Sequence, residues 1–331
     1  MADPRTGRAA RGTGALWFPL AAAVLVLALV LGVMIGPAGS WGTASWNIVW
    51  NVRMPRVVLA GIVGAMLSLA GASYQGVFRN PLVDPYLLGV AAGAGLGATI
   101  VFAIGRASTS GWLIDPLPLA AFIGGSVAVL ITYLVGASFG GSRSTVTLVL
   151  AGVAVTSLAT AIQAFVLQRN NDVIREVYSW ILGRLTVASW SDVKLVLPYV
   201  IVSSVVLLMH RRHLDVLRVG DDEAAALGTQ VRRVRLAVVI AATMGTAAVV
   251  SVSGLIGFVG IIVPHFVRLL AGSSYRRLLP LTLLVGAAFL ILVDIPGRIL
   301  QDPAETPIGV VTAFFGAPFF IVLLRTKRVE G

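Results

Sequence analysis

The sequence has no cysteine, only three histidines and only two lysines among its 331 residues. Without cysteine there is no disulfide framework, no thiol nucleophile and no cysteine-ligated cluster. Charge is scarce too: Asp, Glu, Lys and Arg make up 12% of the chain, against about 25% in soluble domains. Hydrophobic residues make up 57%, and the mean hydropathy is +0.93. Such a chain cannot cover itself with polar surface, which excludes both an ordinary soluble enzyme and a disordered polymer. No Gly-x-x-x-x-Gly-Lys-Ser/Thr motif occurs, so the chain shows no P-loop of its own. No Ser/His/Asp set and no cluster of metal-ligand type points to catalysis.

Long apolar runs are what the chain does have. A helix needs about 20 apolar residues to cross a bilayer. Ten candidate runs follow one another: Leu16–Ile35, Val57–Val77, Leu87–Ile104, Leu117–Ala137, Thr147–Leu167, Leu195–Met209, Leu236–Val252, Leu255–Leu270, Leu278–Ile295 and Pro307–Leu324. They are continuous rather than alternating, which selects helices over a spanning barrel. The expected fold is an all-α integral membrane protein with about ten transmembrane helices. Residues 1–15 form a polar leader with Arg5, Arg8 and Arg11, residues 16–325 one polytopic domain, and residues 326–331 a short tail. The length of the first run favours a retained span over a cleaved signal.

The net charge is +11. In a soluble protein that would suggest nucleic acid; here it reads as topology, and no nucleic-acid partner is expected. Ten spans with the N-terminus inside place seventeen of the 25 basic residues in cytoplasmic segments, while the 14 acids divide evenly. A bias carried by Lys and Arg alone is the signature of orientation in the membrane, and it puts both termini in the cytoplasm.

Small residues recur every four positions at Ala60, Gly64, Ser68, Ala72 and Gly76, and again at Gly89, Gly93 and Gly97. Such stripes let helices pack closely in lipid, the plainer reading, or flank a substrate path. Gly71 precedes Pro81, and Gly254 precedes Pro264, by the same ten residues. Transporters are often built from repeats, and this is a faint trace of one.

The segment His210–Arg235 is the longest polar stretch inside the cell on this topology. Gly220 breaks the preceding helix, and Asp221, Asp222 and Glu223 open a new one, where acids suit the helix dipole. The alanines through Ala226 continue it, and Gly228, after Leu227, stops it. Two readings apply: a surface helix joining two spans, or a docking helix for a soluble subunit. His210 and His213 flank Arg211 and Arg212, whose charge repels a metal cation, so a basic membrane-boundary cluster is the better reading. Asp294 and Glu305 sit at span ends, which favours helix-end structure over proton coupling.

This segment resembles the coupling loop of the FecCD-type permeases, the membrane subunits of ABC importers for iron–siderophore complexes, haem and vitamin B12. Five further stretches resemble the same family, in order: Arg53–Arg56, Gln75–Gly89, Ser179–Gly183, Gly257–Arg268 and Thr306–Pro318. The resemblance implies a type II importer fold in a bacterial cytoplasmic membrane. It implies a second copy of the permease as partner, two ABC ATPase subunits below, and an extracytoplasmic substrate-binding protein above. No cofactor is expected on this chain; ATP and Mg would be used by the partner subunits. The loop would couple to the ATPase through Gly220, Asp221, Asp222, Glu223, Ala226, Leu227 and Gly228. Arg53, Arg56 and Arg298 match arginines that meet acids of the binding protein, although anchoring a span at the headgroups explains Arg53 and Arg56 as well. Asn80, Leu82, Ser144 and Thr145 match positions near the inner gate, where helix-end turn residues fit equally well. The substrate expected first is an iron–siderophore, with haem and cobalamin behind; an ion-coupled transporter or channel is the alternative.

Overall fold

A computed structural model describes residues 6–36, 45–105, 115–138, 145–300 and 305–327. The described residues form fourteen α-helical segments and no strand. Seven helices are long and apolar enough to cross a membrane, and three shorter apolar ones, Val90–Ile104, Val259–Ala271 and Ile308–Val322, make ten in the order of the ten runs.

α1 (Thr6–Met34) is followed by the single turn α2 (Trp46–Ile48), a π-helical turn over Val49–Arg53, and α3 (Met54–Val77). Together the last three make one unbroken rod, Trp46–Val77, eleven residues earlier in starting than its apolar run. Pro55 follows the π-helical turn directly, inside the rod, where its missing N–H coincides with the change from π- to α-helical bonding. Then come α4 (Val90–Ile104), α5 (Pro116–Ser138), α6 (Thr145–Arg169), α7 (Ile174–Ile181) and α8 (Trp190–Met209). α8 starts five residues before its apolar run because Ser189 and Asp192 form a capping box. Two short helices, α9 (Arg211–Leu217) and α10 (Asp221–Ala226), lead to α11 (Val231–Ser253), α12 (Val259–Ala271), α13 (Tyr275–Ile299) and α14 (Ile308–Lys327).

α3, α11 and α13 are buried along most of their length, whereas α1, α6 and α8 bury less than a third of theirs. The outer helices leave large apolar side chains such as Leu16, Leu150 and Phe165 uncovered, as expected of helices facing lipid rather than water. α3 and α13 run antiparallel in close register: Arg56 meets Asp294, Gly64 meets Gly286, and Gly76 meets Tyr275. A Cβ on Gly64 would stand 2.2 Å from the Gly286 carbonyl oxygen, so this approach requires glycine. Gly93 and Gly124 bring α4 and α5 together in the same way. The small-residue stripes are packing surfaces.

The Gly–Pro echo does not correspond to a structural repeat. Gly71 lies inside α3 against Gly260, and Pro81 in the turn beyond; Gly254 ends α11, and Pro264 lies inside α12. The expected leader is helical from Thr6 onward. Arg5, Ser144, Arg106, Arg143 and Arg328 lie outside the described residues.

Candidate functional site

The two ends of the bundle differ in chemistry. α3 separates them, with Arg56 in its first turn and Arg79 just beyond its last. At the Arg79 end, α9 and α10 form a platform. Leu214, Leu217 and Ala224 anchor it in the core. The Asp215 carboxylate accepts from the Tyr275 backbone N–H at 2.7 Å and from Ser274 Oγ at 2.9 Å, so it caps α13 from a neighbouring helix. Asp221 accepts from Arg235 Nη2 at 2.9 Å and lies 3.5 Å from Arg79.

α10 is bounded by backbone that favours glycine, with φ of 136° at Gly220 and 82° at Gly228. The expected start and stop are where the sequence put them, though the helix itself has only six residues. Its outward face carries Asp222, Glu223, Ala225, Ala226 and Gly228, together with Leu227, which is 70% exposed. Asp221 differs from its neighbours: it is half-buried, and its bond to Arg235 of α11 positions the helix. A protruding leucine beside two unpaired carboxylates suits a partner with an apolar notch and basic rim.

Two of the expected gate residues, Asn80 and Leu82, lie at this end. Asn80 Oδ1 accepts from the Leu82 backbone N–H at 3.0 Å, which closes a tight turn after α3. Arg79, just before it, has φ of 51°, a left-handed conformation uncommon outside glycine. Gln75 ties this turn to α12, donating to the carbonyls of Val83 at 3.2 Å and Gly260 at 3.0 Å and accepting from Arg268. Thr145 is the first residue of α6; Ser144 lies outside the described residues.

Beyond the turn, Asp84 Oδ1 accepts from the Tyr86 backbone N–H at 2.8 Å. Asp84 keeps part of its surface accessible, yet burial of its carboxyl pushes its pKa up to about 6, with the Tyr86 hydrogen bond opposing the rise. The Tyr86 hydroxyl donates to the Ile256 carbonyl and accepts from the Ile256 N–H, both at 3.1 Å. It thereby satisfies the backbone where α11 and α12 are interrupted, between Gly254 and Phe258, both of which have positive φ. Interrupted backbone at membrane depth is tolerated only when something covers it. Sequence reasoning missed Tyr86 and Gln75; the one signal was a polar side chain beside Gly and Pro in an apolar stretch.

At the opposite end the three arginines expected to face a partner are buried: Arg53 is 4%, Arg56 8% and Arg298 2% exposed. Arg56 spans both oxygens of Asp294 at 2.9 Å and reaches Glu305 at 2.7 Å. Arg298 donates to Asp294 at 2.7 Å and to the Gly32 carbonyl at 2.8 Å, and Arg53 donates to the carbonyls of Val33 and Met34 at 3.2 and 3.3 Å. Two of these arginines therefore cap the C-terminus of α1, whose last carbonyls lack helical partners and carry the negative end of the dipole. The physical reason for the departure is desolvation: Asp294 is buried beside them and Glu305 half-buried, and charges taken out of water must pair. Trp46, Trp50 and Trp190 cluster at the same end, with ring centroids 6.2 and 5.4 Å apart in sequence order, an aromatic group of the kind found at membrane boundaries.

A bundle of ten apolar helices, close-packed through glycine, with interrupted backbone inside and a polar platform at one end, defines a multi-pass membrane transport subunit. The chain belongs to the FecCD transport family, whose model matches residues 19–326. It is 40% identical over 297 residues to the uncharacterized ABC transporter permease protein YvrB of Bacillus subtilis, covering 88% of this chain and 83% of that one. Over 284 residues it is 42% identical to the cobalamin import system permease protein BtuC of Halobacterium salinarum, covering 86% and 75%. The hemin transport system permease protein HmuU of Yersinia pestis is 36% identical over 295 residues, 88% of each chain. A solved structure described as an inward-facing conformation of a putative metal-chelate type ABC transporter superposes with a TM-score of 0.85 at 31% identity, covering 94% of this chain and 99% of that one. The expected family and all-α multi-pass fold are thus established.

Proposed function

We propose that this chain is the permease of an ABC importer for a metal chelate and that it works as a pair of copies. Two ATPase subunits would sit at the α10 end, using ATP and Mg, and an extracytoplasmic binding protein at the Arg56 end. The observation that carries the reading is α10: a helix held from behind by Asp221 and Ala224 that presents Asp222, Glu223 and Leu227 outward. A linker with no partner has no reason to be so firmly seated while exposing its leucine.

Charge supports one orientation. Arg211, Arg212, Arg218, Arg232, Arg233 and Arg276 belong to the α10 end, an excess that supports reading it as the cytoplasmic side of a bacterial cell membrane. On the outer side the buried arginines set the shape of the rim on which a binding protein lands, rather than offering free charge. An ion-coupled mechanism needs a carboxylate able to titrate along the path. Asp294 is instead taken up in packing, paired with Arg56 of α3 and Arg298 of its own helix, which supports a structural role at the helix end.

Cargo within the class is the finer question. Relatives named for cobalamin and for hemin import are both similar to this chain, and a ferric siderophore is the substrate we propose first. The test is reconstitution of the permease with its ATPase and binding protein in vesicles, comparing uptake of ferric siderophore, haem and cobalamin. ATP-dependent uptake of a siderophore supports the full reading; uptake of another chelate corrects the cargo; ATP-independent uptake overturns the mechanism.

A further inference from the structure

A second polar feature lies at the α10 end. A cavity of about 250 Å³ opens between α3, α9, α12 and α13, lined by Gln75, Arg79, Asn80, Arg218, Arg268 and Tyr275 among others. Three guanidinium groups border it, and no carboxylate among the described residues does. Each is poorly compensated. Arg218 donates only to the carbonyl and hydroxyl of Ser273, at 3.1 and 3.2 Å. Arg268 has only neutral acceptors, the Gln75 side chain and the Tyr275 hydroxyl, and its Nη1 is buried with no hydrogen-bond partner. Arg79 has the one nearby acid, Asp221, at 3.5 Å, with both groups about two-fifths exposed, a geometry that contributes little.

A buried guanidinium donor left unpaired is expensive, and three cations around one cavity repel one another. We infer that this cavity is an anion site for a phosphate group. Its donors form the fork geometry that phosphate oxygens accept. Asn80 leaves its amide N–H₂ free, because only its Oδ1 is used in the turn, and the Tyr275 hydroxyl adds a neutral donor. The volume is below the roughly 300–1,000 Å³ of sites for drug-sized ligands, which suits a phosphate group and its immediate ester rather than a large molecule. Two sources carry that chemistry: free inorganic phosphate, or the headgroup of an anionic lipid whose tails run along the exposed Phe266, Leu269 and Leu270 of α12. Occupancy would tie the turn after α3 to α9 and α13, beside the α10 platform.

The full-length permease is tested with two probes: inorganic phosphate, by calorimetry in detergent, and phosphatidylglycerol in mixed phosphatidylcholine vesicles, by retention in native mass spectrometry. Binding of either probe, weakened at least tenfold by Arg218→Gln and by Arg79→Gln, supports the site; which probe binds identifies the source. Both positions are exposed, so folding is preserved, and an unchanged melting temperature without ligand verifies it. Arg268→Lys, keeping charge but losing the fork, should weaken binding as well. Binding of neither probe, or binding unaffected by all three substitutions, overturns the inference. Loss of ATPase retention in Arg218→Gln without any phosphate binding also overturns it, in favour of an acidic side chain from a partner.

Discussion

Arg56 on α3 grips both carboxylate oxygens of Asp294 on α13 at 2.9 Å, across 238 positions of sequence. With Arg298 and the half-buried Glu305 the pair forms a group of two cations and two anions that binds α1, α3 and α13 together at one end of the bundle. Removing one member leaves the others uncompensated.

Asp294→Asn is therefore expected to destabilise the protein by about 3–5 kcal/mol, the usual cost of breaking a buried pair. Denaturant unfolding in detergent measures it. The double variant Arg56→Gln with Asp294→Asn should cost less than the sum of the single changes, because the partners share one network. Strict additivity would show that they do not.

Gly64 has no room for a side chain against the Gly286 carbonyl oxygen. Gly64→Ala should force α3 and α13 apart and cost about 1–3 kcal/mol or more. The same change at Gly228, which has nothing within 4 Å of its missing Cβ, meets only its left-handed backbone and should cost less, about 1 kcal/mol. Melting temperatures of the two variants give the order.

Tyr86→Phe removes the hydroxyl that serves both the N–H and the carbonyl of Ile256. With the interrupted backbone unsatisfied, a loss of about 1–3 kcal/mol is expected, together with faster amide hydrogen exchange over 254–258. Unchanged exchange there would mean that another group satisfies the break.

Asp84 gives a pH dependence of known sign. Its folded pKa, pushed up to about 6 from an ordinary 3.8, means that the folded protein binds a proton the unfolded chain releases. Stability from this group is lowest above pH 6 and rises as the pH falls from 6 towards 4. Asp84→Asn should remove that part of the slope and leave the rest of the pH profile intact. A wild-type and variant profile of equal slope in that window would contradict the assignment.

The ten helices were legible because each carries its own apolar run, long enough to cross a membrane in seven of them and shorter in three, and α10 because glycines and acids mark its ends within nine residues. The packing stripe was legible for the same local reason, its period matching the helix. Arg56, Arg298 and Arg53 were read as surface charge because nothing local reveals that Asp294, Glu305 and the end of α1 converge on them. Tyr86 and Gln75 were invisible for the same reason: their partners lie 170 and 185 residues away. Long-range polar pairing has no period to read.

Coupling through α10 is the central claim, and its exposed acids give the most direct test. In the variant with both Asp222→Arg and Glu223→Arg, the permease should keep its melting temperature, since neither side chain is buried. It should also fail to retain the ATPase on co-purification and lose ATP-driven uptake in reconstituted vesicles. Normal retention with normal uptake in that variant would contradict the account.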